Sequence, residues 1–190
     1  MQRCRDILAK LNELSGLDEP FDRVPLSALL EEVAAPHRDF GIAIGVTAPP
    51  KKSEPVGARN PAILYGLGNL LENAVDFARQ RVEILADWDD ETVTVTIIDD
   101  GPGFAPQIMS RIGEPYVRSR LRRRMYASDD TGLGLGFFIA KTLLERSDAT
   151  LTFANQTFPR SGAVITVRWP RAEFERFRQP PPLEDQAGGA

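Results

Sequence analysis

Residues 67–78, Leu67-Gly68-Asn69-Leu70-Leu71-Glu72-Asn73-Ala74-Val75-Asp76-Phe77-Ala78, carry the pattern that most limits what this chain can become. At the helical step of about 100° per residue, Leu67, Leu70, Leu71, Ala74, Val75 and Ala78 share one side. Asn69, Glu72, Asn73 and Asp76 share the other. The apolar side has to be buried against another layer. The polar side is unusual, because asparagine is a mediocre helix former and two at i, i+4 need a reason. Amide oxygens one turn apart with carboxylates beside them make a hard-oxygen surface that suits Mg²⁺, which keeps water and phosphate in its shell. A plain solvated face with two asparagines is the other reading. The segment alone does not decide between them.

The remaining bounds are broad. A chain of 190 residues with 42% hydrophobic and 26% charged residues fits one globular domain with appendages. Its net charge of -4 leaves no footprint for nucleic acid. No apolar run is long enough to span a membrane, so no membrane contact by this stretch is expected. The N-terminus lacks the apolar core of a signal peptide. One cysteine and one histidine exclude an intramolecular disulfide framework and a Cys/His metal cluster, and point to a reducing, cytoplasmic compartment.

Residues 3–15 repeat apolar side chains at Cys4, Ile7, Leu11 and Leu14, the seam of a short coiled coil that Gly16 closes. Cys4 on that seam is either a small hydrophobe at an interface or a redox thiol, with Arg3 and Arg5 favouring its thiolate. A helix is expected from Pro25 or Ser27 to His37, a strand at 42–46, the central helix from Pro61 to about Arg79, and a hairpin of strands at 82–86 and 92–98. A short helix at 106–113, a long basic segment at 114–131, a helix to Glu145 and a last strand pair at 149–153 and 162–168 follow. A loop of that length in a compact domain is usually a lid or binding loop. Strands in pairs and helices between them predict an α+β fold, a two-layer α/β sandwich whose mixed sheet is covered on one face by helices. The organisation expected is a helical remnant at 1–16, a folded domain at 17–172 with its lid at 114–131, and a tail at 173–190 whose last part is too poor in hydrophobes to fold.

Two glycine motifs flank the lid. Asp99-Asp100-Gly101-Pro102-Gly103 leaves a strand end in a sharp turn, where a carboxylate can accept from an exocyclic amine such as that of adenine. Gly132-Leu133-Gly134-Leu135-Gly136 opens a helix whose N–H groups and dipole suit phosphate. Each alone is weak. A common turn explains the first, and a glycine-rich linker the second, although the leucines between the glycines suit a packed loop better.

In this fixed order the Asn-rich helix, the Asp99 turn and the Gly132–Gly136 run resemble the nucleotide-binding domain of sensor histidine kinases, over roughly residues 20–170. Ile112-Gly113-Glu114-Pro115-Tyr116 is similar to a further box of that family, with a departure at its first position. The resemblance implies the Bergerat ATP-binding fold, with ATP and Mg²⁺ bound. It implies that Asn73 is the Mg²⁺ ligand, that Asn69 lies beside it near the phosphates, and that Asp99 holds the adenine amine. Gly101 and Gly103 would shape the pocket; Gly132, Leu133, Gly134, Leu135 and Gly136 would lie at the phosphates. Hydrolytic relatives carry a general-base Glu where this chain has Asn69, and an amide cannot take a proton from water. The site is thus expected to hold ATP for transfer, with Asn69 and Asn73 serving the chemistry. Asp76, often Lys in kinases and placed here in the nucleotide site, departs toward the ATPases.

Residues 72–78, 134–146 and Arg3-Cys4-Arg5 resemble the RegB/PrrB/ActS group of redox-responsive kinases, which implies regulation through Cys4 and a RegA-type response regulator as partner. It also implies a homodimer in full-length form, and an acceptor histidine on a dimerisation domain outside this chain, since His37 follows Pro36 outside any acceptor motif. The chain then reads as the cytoplasmic catalytic half of a membrane-anchored kinase, with Arg118, Arg120, Arg122, Arg123 and Arg124 crowding its lid and at least one of them within reach of phosphate. The alternatives are a hydrolytic ATPase of the same superfamily and a non-catalytic nucleotide-binding or docking module.

Overall fold

The computed structural model describes residues 23–38, 41–50, 53–109 and 136–176. The seam around Cys4, the segment at 110–131 with its arginines, the glycine run at 132–135 and the tail beyond 176 lie outside the described residues.

Five strands form the main sheet. Strand β2 (Ala43–Thr47), β4 (Arg81–Trp88), β5 (Thr92–Asp99), β7 (Ala163–Pro170) and β6 (Thr150–Asn155) lie in the spatial order β2-β4-β5-β7-β6. Only β2 and β4 are parallel, joined through helix α2 (Pro61–Phe77); the other neighbours are antiparallel. That division follows from the connections, since tight turns join antiparallel strands and a crossover needs a helix. Two short strands, β1 (Arg23–Pro25) and β3 (Val56–Ala58), pair separately.

Period-two alternation sends Val82, Ile84, Ala86 and Trp88 of β4 to one face, with Val93, Val95 and Ile97 of β5 and Ile165, Val167 and Trp169 of β7. Against that face lie α1 (Leu26–Ala34), α2 and α4 (Gly136–Glu145). The apolar side read from the sequence is the side α2 buries: Leu67, Leu70, Leu71 and Ala74 are in the core, whereas Glu72 and Asp76 are exposed and Asn69 and Asn73 half-buried. The result is the two-layer α+β sandwich expected, with helices on one face of a mixed sheet.

Local chemistry sets the ends of α2. Asn60 caps it by accepting from the Ala62 N–H at 2.9 Å, and Pro61 occupies its first position. The helix stops at Phe77, two residues short of the expected end, where Ala78 turns extended. Helix α3 (Pro106–Met109) starts where expected. Strand β3 and the closing helix α5 (Arg171–Phe174) were not anticipated, being three and four residues long. Phe174 is nonetheless buried, its ring 5.7 Å from that of Trp169.

Candidate functional site

The same alternation that builds the core also delivers a carboxylate into it. Positions 93, 95 and 97 of β5 face the helices, so 99 does too, and Asp99 ends the strand only 4% exposed. It is the one charged side chain buried among the described residues. Its Oδ1 accepts from the Gly101 N–H at 2.8 Å and the Ala163 N–H at 3.1 Å. Both donors converge on one oxygen, which leaves Oδ2 for a ligand. Burial pushes the Asp99 carboxyl above its ordinary value, more than those two N–H groups pull it down, and the neighbouring Asp100 charge adds to the rise.

The turn after Asp99 admits little else. A Cβ at Gly101 would lie 2.3 Å from the Phe77 carbonyl oxygen, the last residue of α2. Gly103 adopts φ +77°, a left-handed conformation that favours glycine. Asp100 faces outward and accepts from the N–H groups of Arg79 at 2.7 Å and Gln80 at 3.1 Å, tying the exit of α2 to the turn. Burial opposes ionisation of Asp100, but these backbone donors outweigh it and hold the carboxyl below its ordinary value.

One and two helical turns before Phe77, Asn73 and Asn69 are aimed by their own helix. Asn69 Nδ2 donates to the Tyr65 carbonyl at 2.7 Å, and Asn73 Nδ2 donates to the Asn69 carbonyl at 2.6 Å. Only the NH₂ end of an amide can donate to a carbonyl, so each Oδ1 is turned away from the helix as an acceptor. Opposite them sits Gly136, the first residue of α4: a Cβ there would be 3.0 Å from Asn73 Nδ2 and 3.9 Å from Asn69 Oδ1.

An aromatic triangle fixes α4 against the turn. Phe137 of α4, Phe104 beyond the turn and Phe153 of β6 meet edge-on at ring separations of 5.8 to 6.1 Å. Helix α2 thus carries both halves: Asn69 and Asn73 meet Gly136, and its last carbonyl seats Gly101 below Asp99. Among the expected residues, Gly132, Leu133, Gly134 and Leu135 lie outside the described ones, and Asp76 is exposed on the asparagine side of α2. His37 is half-exposed at the end of a short 3₁₀ turn, Ala35–His37.

Four residues from the β6–β7 hairpin went unread in the sequence. Gln156 Nε2 donates to the Asp99 carbonyl at 2.8 Å, and Asn155 pairs with both the N–H and the carbonyl of Phe104 at 2.7 and 2.8 Å. Ala163 supplies a donor to Asp99, and a Cβ at Gly162 (φ +133°) would fall 1.8 Å from the Asp99 carbonyl oxygen. The one signal was Gly162 at a strand start, which marks close backbone approach without saying to what.

No cluster of three or more His, Cys, Asp or Glu that could hold a metal occurs among the described residues. A cation here would take its protein oxygen from an amide, and the outward Oδ1 of Asn73 fits a hard ion that keeps ligand oxygens in its shell. Among the described residues no helix is long and apolar enough to cross a membrane.

Residues 60–173 match the histidine kinase-, DNA gyrase B-, and HSP90-like ATPase family. The sensor histidine kinase RegB of Cereibacter sphaeroides is 40% identical over 183 residues, an alignment covering 88% of this chain and 40% of the relative. The sensor histidine kinase GtrS of Pseudomonas aeruginosa is 29% identical, covering 85% of this chain and 31% of the relative. The chain therefore spans less than half the length of these relatives. Among solved structures, the mycobacterial sensor histidine kinase MprB superposes with a TM-score of 0.63 at 22% identity, over 79% of this chain and 97% of that one. Full-length ShkA in complex with AMPPNP gives 0.62 at 24%, over 83% and 33%. At these identities the structural likeness speaks to the fold.

Proposed function

The chain belongs to the histidine kinase-, DNA gyrase B-, and HSP90-like ATPase family, and from that premise we propose that it is the ATP-binding catalytic part of a sensor histidine kinase. The observation that carries this reading is the double seat beside α2: Asn69 and Asn73 facing Gly136 of α4, and, past the Phe77 carbonyl that seats Gly101, the inward Asp99 of β5 with one oxygen left open. Asp99 Oδ2 would accept the exocyclic amine of adenine. Gly136 and the glycines before it would lie under the phosphates, with Gly101 and Gly103 shaping the base pocket. Asn73, with Asn69 beside it, would hold Mg²⁺, which offsets the triphosphate's negative charge when bound. Asp76 stands at the rim of that face.

The residues then serve transfer by position. The base would be anchored beyond the last residue of α2 and the phosphates against its asparagines, so the γ-phosphoryl is presented outward to an attacking nucleophile. No carboxylate stands at Asn69 to activate water, which favours transfer over hydrolysis. The acceptor is a histidine of a dimerisation domain beyond this chain, in a homodimeric membrane-anchored kinase, and the phosphoryl group passes on to a RegA-type response regulator. The catalytic domain in this reading runs from 17 past the expected boundary at 172, because α5 continues it and packs Phe174 into the core instead of beginning a tail at 173. Redox regulation through Cys4 is part of the proposal, supported by the likeness to RegB.

The test is isothermal titration of ATP with and without Mg²⁺, followed by mixing the chain with a separately expressed dimerisation domain. Mg²⁺-dependent binding and labelled phosphate on the added domain's histidine are expected. Steady release of inorganic phosphate without an acceptor would identify a hydrolase. Cys4→Ala kinase that loses its response to oxidant supports the redox part; an unchanged response removes it.

A further inference from the structure

At the exit of α2 the chain concentrates positive charge that nucleotide binding does not use. A cavity of about 340 Å³ lies between the start of β4 and the β6–β7 hairpin, lined by Arg79, Arg81, Arg160, Gln156, Ser161 and Asp100 among others. Three guanidiniums meet one carboxylate there, in a chain whose net charge is -4. That carboxylate is already committed: Asp100 accepts the backbone N–H groups of Arg79 and Gln80. The guanidiniums are not. Arg79 reaches the Ser161 hydroxyl only at 3.5 Å. Arg81 meets Glu83 at 3.7 Å, both side chains exposed, a pair that contributes little. Arg160 makes no ion pair among the described residues.

The hairpin wall of this cavity is held in place. Gln156 is bonded through its backbone N–H to the Gly162 carbonyl at 2.9 Å and through its side chain to Asp99 and Ser161. The tip is closed by Arg160 N–H on the Thr157 carbonyl at 3.1 Å. On that tip stands Phe158, 93% exposed and two residues before Arg160 in the chain. A braced turn presenting one aromatic, with guanidiniums that have only weak partners among the described residues, has the make-up of a docking site: arginines and aromatics dominate such contacts, and a pre-ordered surface loses little entropy on binding.

We propose that this surface docks an acidic segment of a partner protein, one carrying an apolar side chain next to its carboxylates. A carboxylate side chain fits a concave guanidinium-lined cavity and is recognised by arginine in a forked geometry. The neighbouring apolar side chain covers Phe158. A lipid surface suits the site less well, because the arginines line a hollow and one aromatic is the whole apolar contact.

The test uses the 190-residue chain and a fluorescein-labelled ten-residue peptide of alternating glutamate and leucine, read by anisotropy. A matched peptide with glutamine for glutamate and phosphatidylglycerol vesicles are the other arms. Saturable binding of the acidic peptide is expected, weakening by about fivefold or more between 50 and 200 mM salt as screening sets in. Arg79→Ala with Arg160→Ala should weaken it about tenfold or more, and Phe158→Ala about fivefold, with ATP affinity and thermal stability unchanged. Absence of saturable binding, equal binding of the glutamine peptide, or binding indifferent to the substitutions overturns the proposal. Vesicle binding without peptide binding also overturns it and assigns the surface to lipid.

Discussion

The two halves of the site beside α2 are held in unlike ways. At Asp99, the backbone does the holding. Gly101 and Ala163 donate to the carboxylate, Gln156 bonds its carbonyl, and the chain at Gly101 and Gly162 approaches too closely for any Cβ. At Asn69 and Asn73, side chains are aimed by single bonds to their own helix, and Gly136 approaches without closing the space. The contrast predicts that the Asp99 half, proposed to hold the base, is bound up with the fold, whereas the asparagine half, proposed to hold the phosphates, can be altered without unfolding the chain.

The hardest blow to that comparison should fall at Gly162. Its φ of +133° and a would-be Cβ at 1.8 Å from the Asp99 carbonyl oxygen leave no room for a side chain. Gly162→Ala is expected to cost on the order of 3 kcal/mol, combining backbone strain with overpacking. A denaturant midpoint near that of the wild type would show that the base end is less bound to the fold than argued.

Changing the functional groups themselves should separate the two ends cleanly. Asn73→Ala removes the outward amide oxygen from a half-buried position and should move stability by less than about 1 kcal/mol. The gain in ATP affinity on adding Mg²⁺ should vanish in titration calorimetry. Asp99→Asn keeps one acceptor for Gly101 and Ala163 but points an NH₂ at the adenine amine. ATP affinity should fall about 10- to 100-fold, the loss of a hydrogen bond to a charged group, with or without Mg²⁺. An Asp99→Asn loss seen only with Mg²⁺ would merge the two ends into one.

Acid should act on the base end with opposite signs for binding and for stability. The folded Asp99 carboxyl titrates above its ordinary value of 3.8 because burial penalises its charge. What Asp99 contributes to folding is therefore fully present below 3.8 and is lost as pH rises through its folded value. In the proposed function nucleotide binding needs the ionised oxygen, so ATP affinity should weaken as pH falls through that same value. Calorimetric titrations from pH 7 downward, with Asp99→Asn as the insensitive control, read this directly.

These contrasts also mark what a sequence can tell. The asparagine side of α2 was legible because helical period alone sorts Asn69 and Asn73 from the leucines. Asp99 was legible as the strand end before a glycine turn, and its inward direction is implied by Val93, Val95 and Ile97 in alternation. The braces were not legible. Gln156, Asn155 and Ala163 reach Asp99 and Phe104 across more than fifty residues of chain, and no local pattern encodes such a contact. The same holds for the cationic hollow, assembled from the ends of α2 and β6. Strand β3 was too short to show a period, since three residues cannot alternate convincingly.

The smallest effect expected is also the sharpest comparison, because it repeats the glycine-to-alanine change at the other end. At Gly136 an added Cβ would lie 3.0 Å from Asn73 Nδ2, so that amide, a side chain and not backbone, has to yield by a few tenths of an ångström. Alanine also suits a helix better than glycine by about 1 kcal/mol in a helix interior, and by less at a first turn. Gly136→Ala should therefore leave stability unchanged or slightly raised, where Gly162→Ala collapses it. The displaced Asn73 should still weaken Mg·ATP binding by a few-fold, about 0.5 to 1 kcal/mol, while affinity for ATP without Mg²⁺ stays close to the wild type. If Gly136→Ala instead unfolds the protein as Gly162→Ala does, both halves of the site are structural. The division between a base end built into the fold and a phosphate end laid upon it then fails.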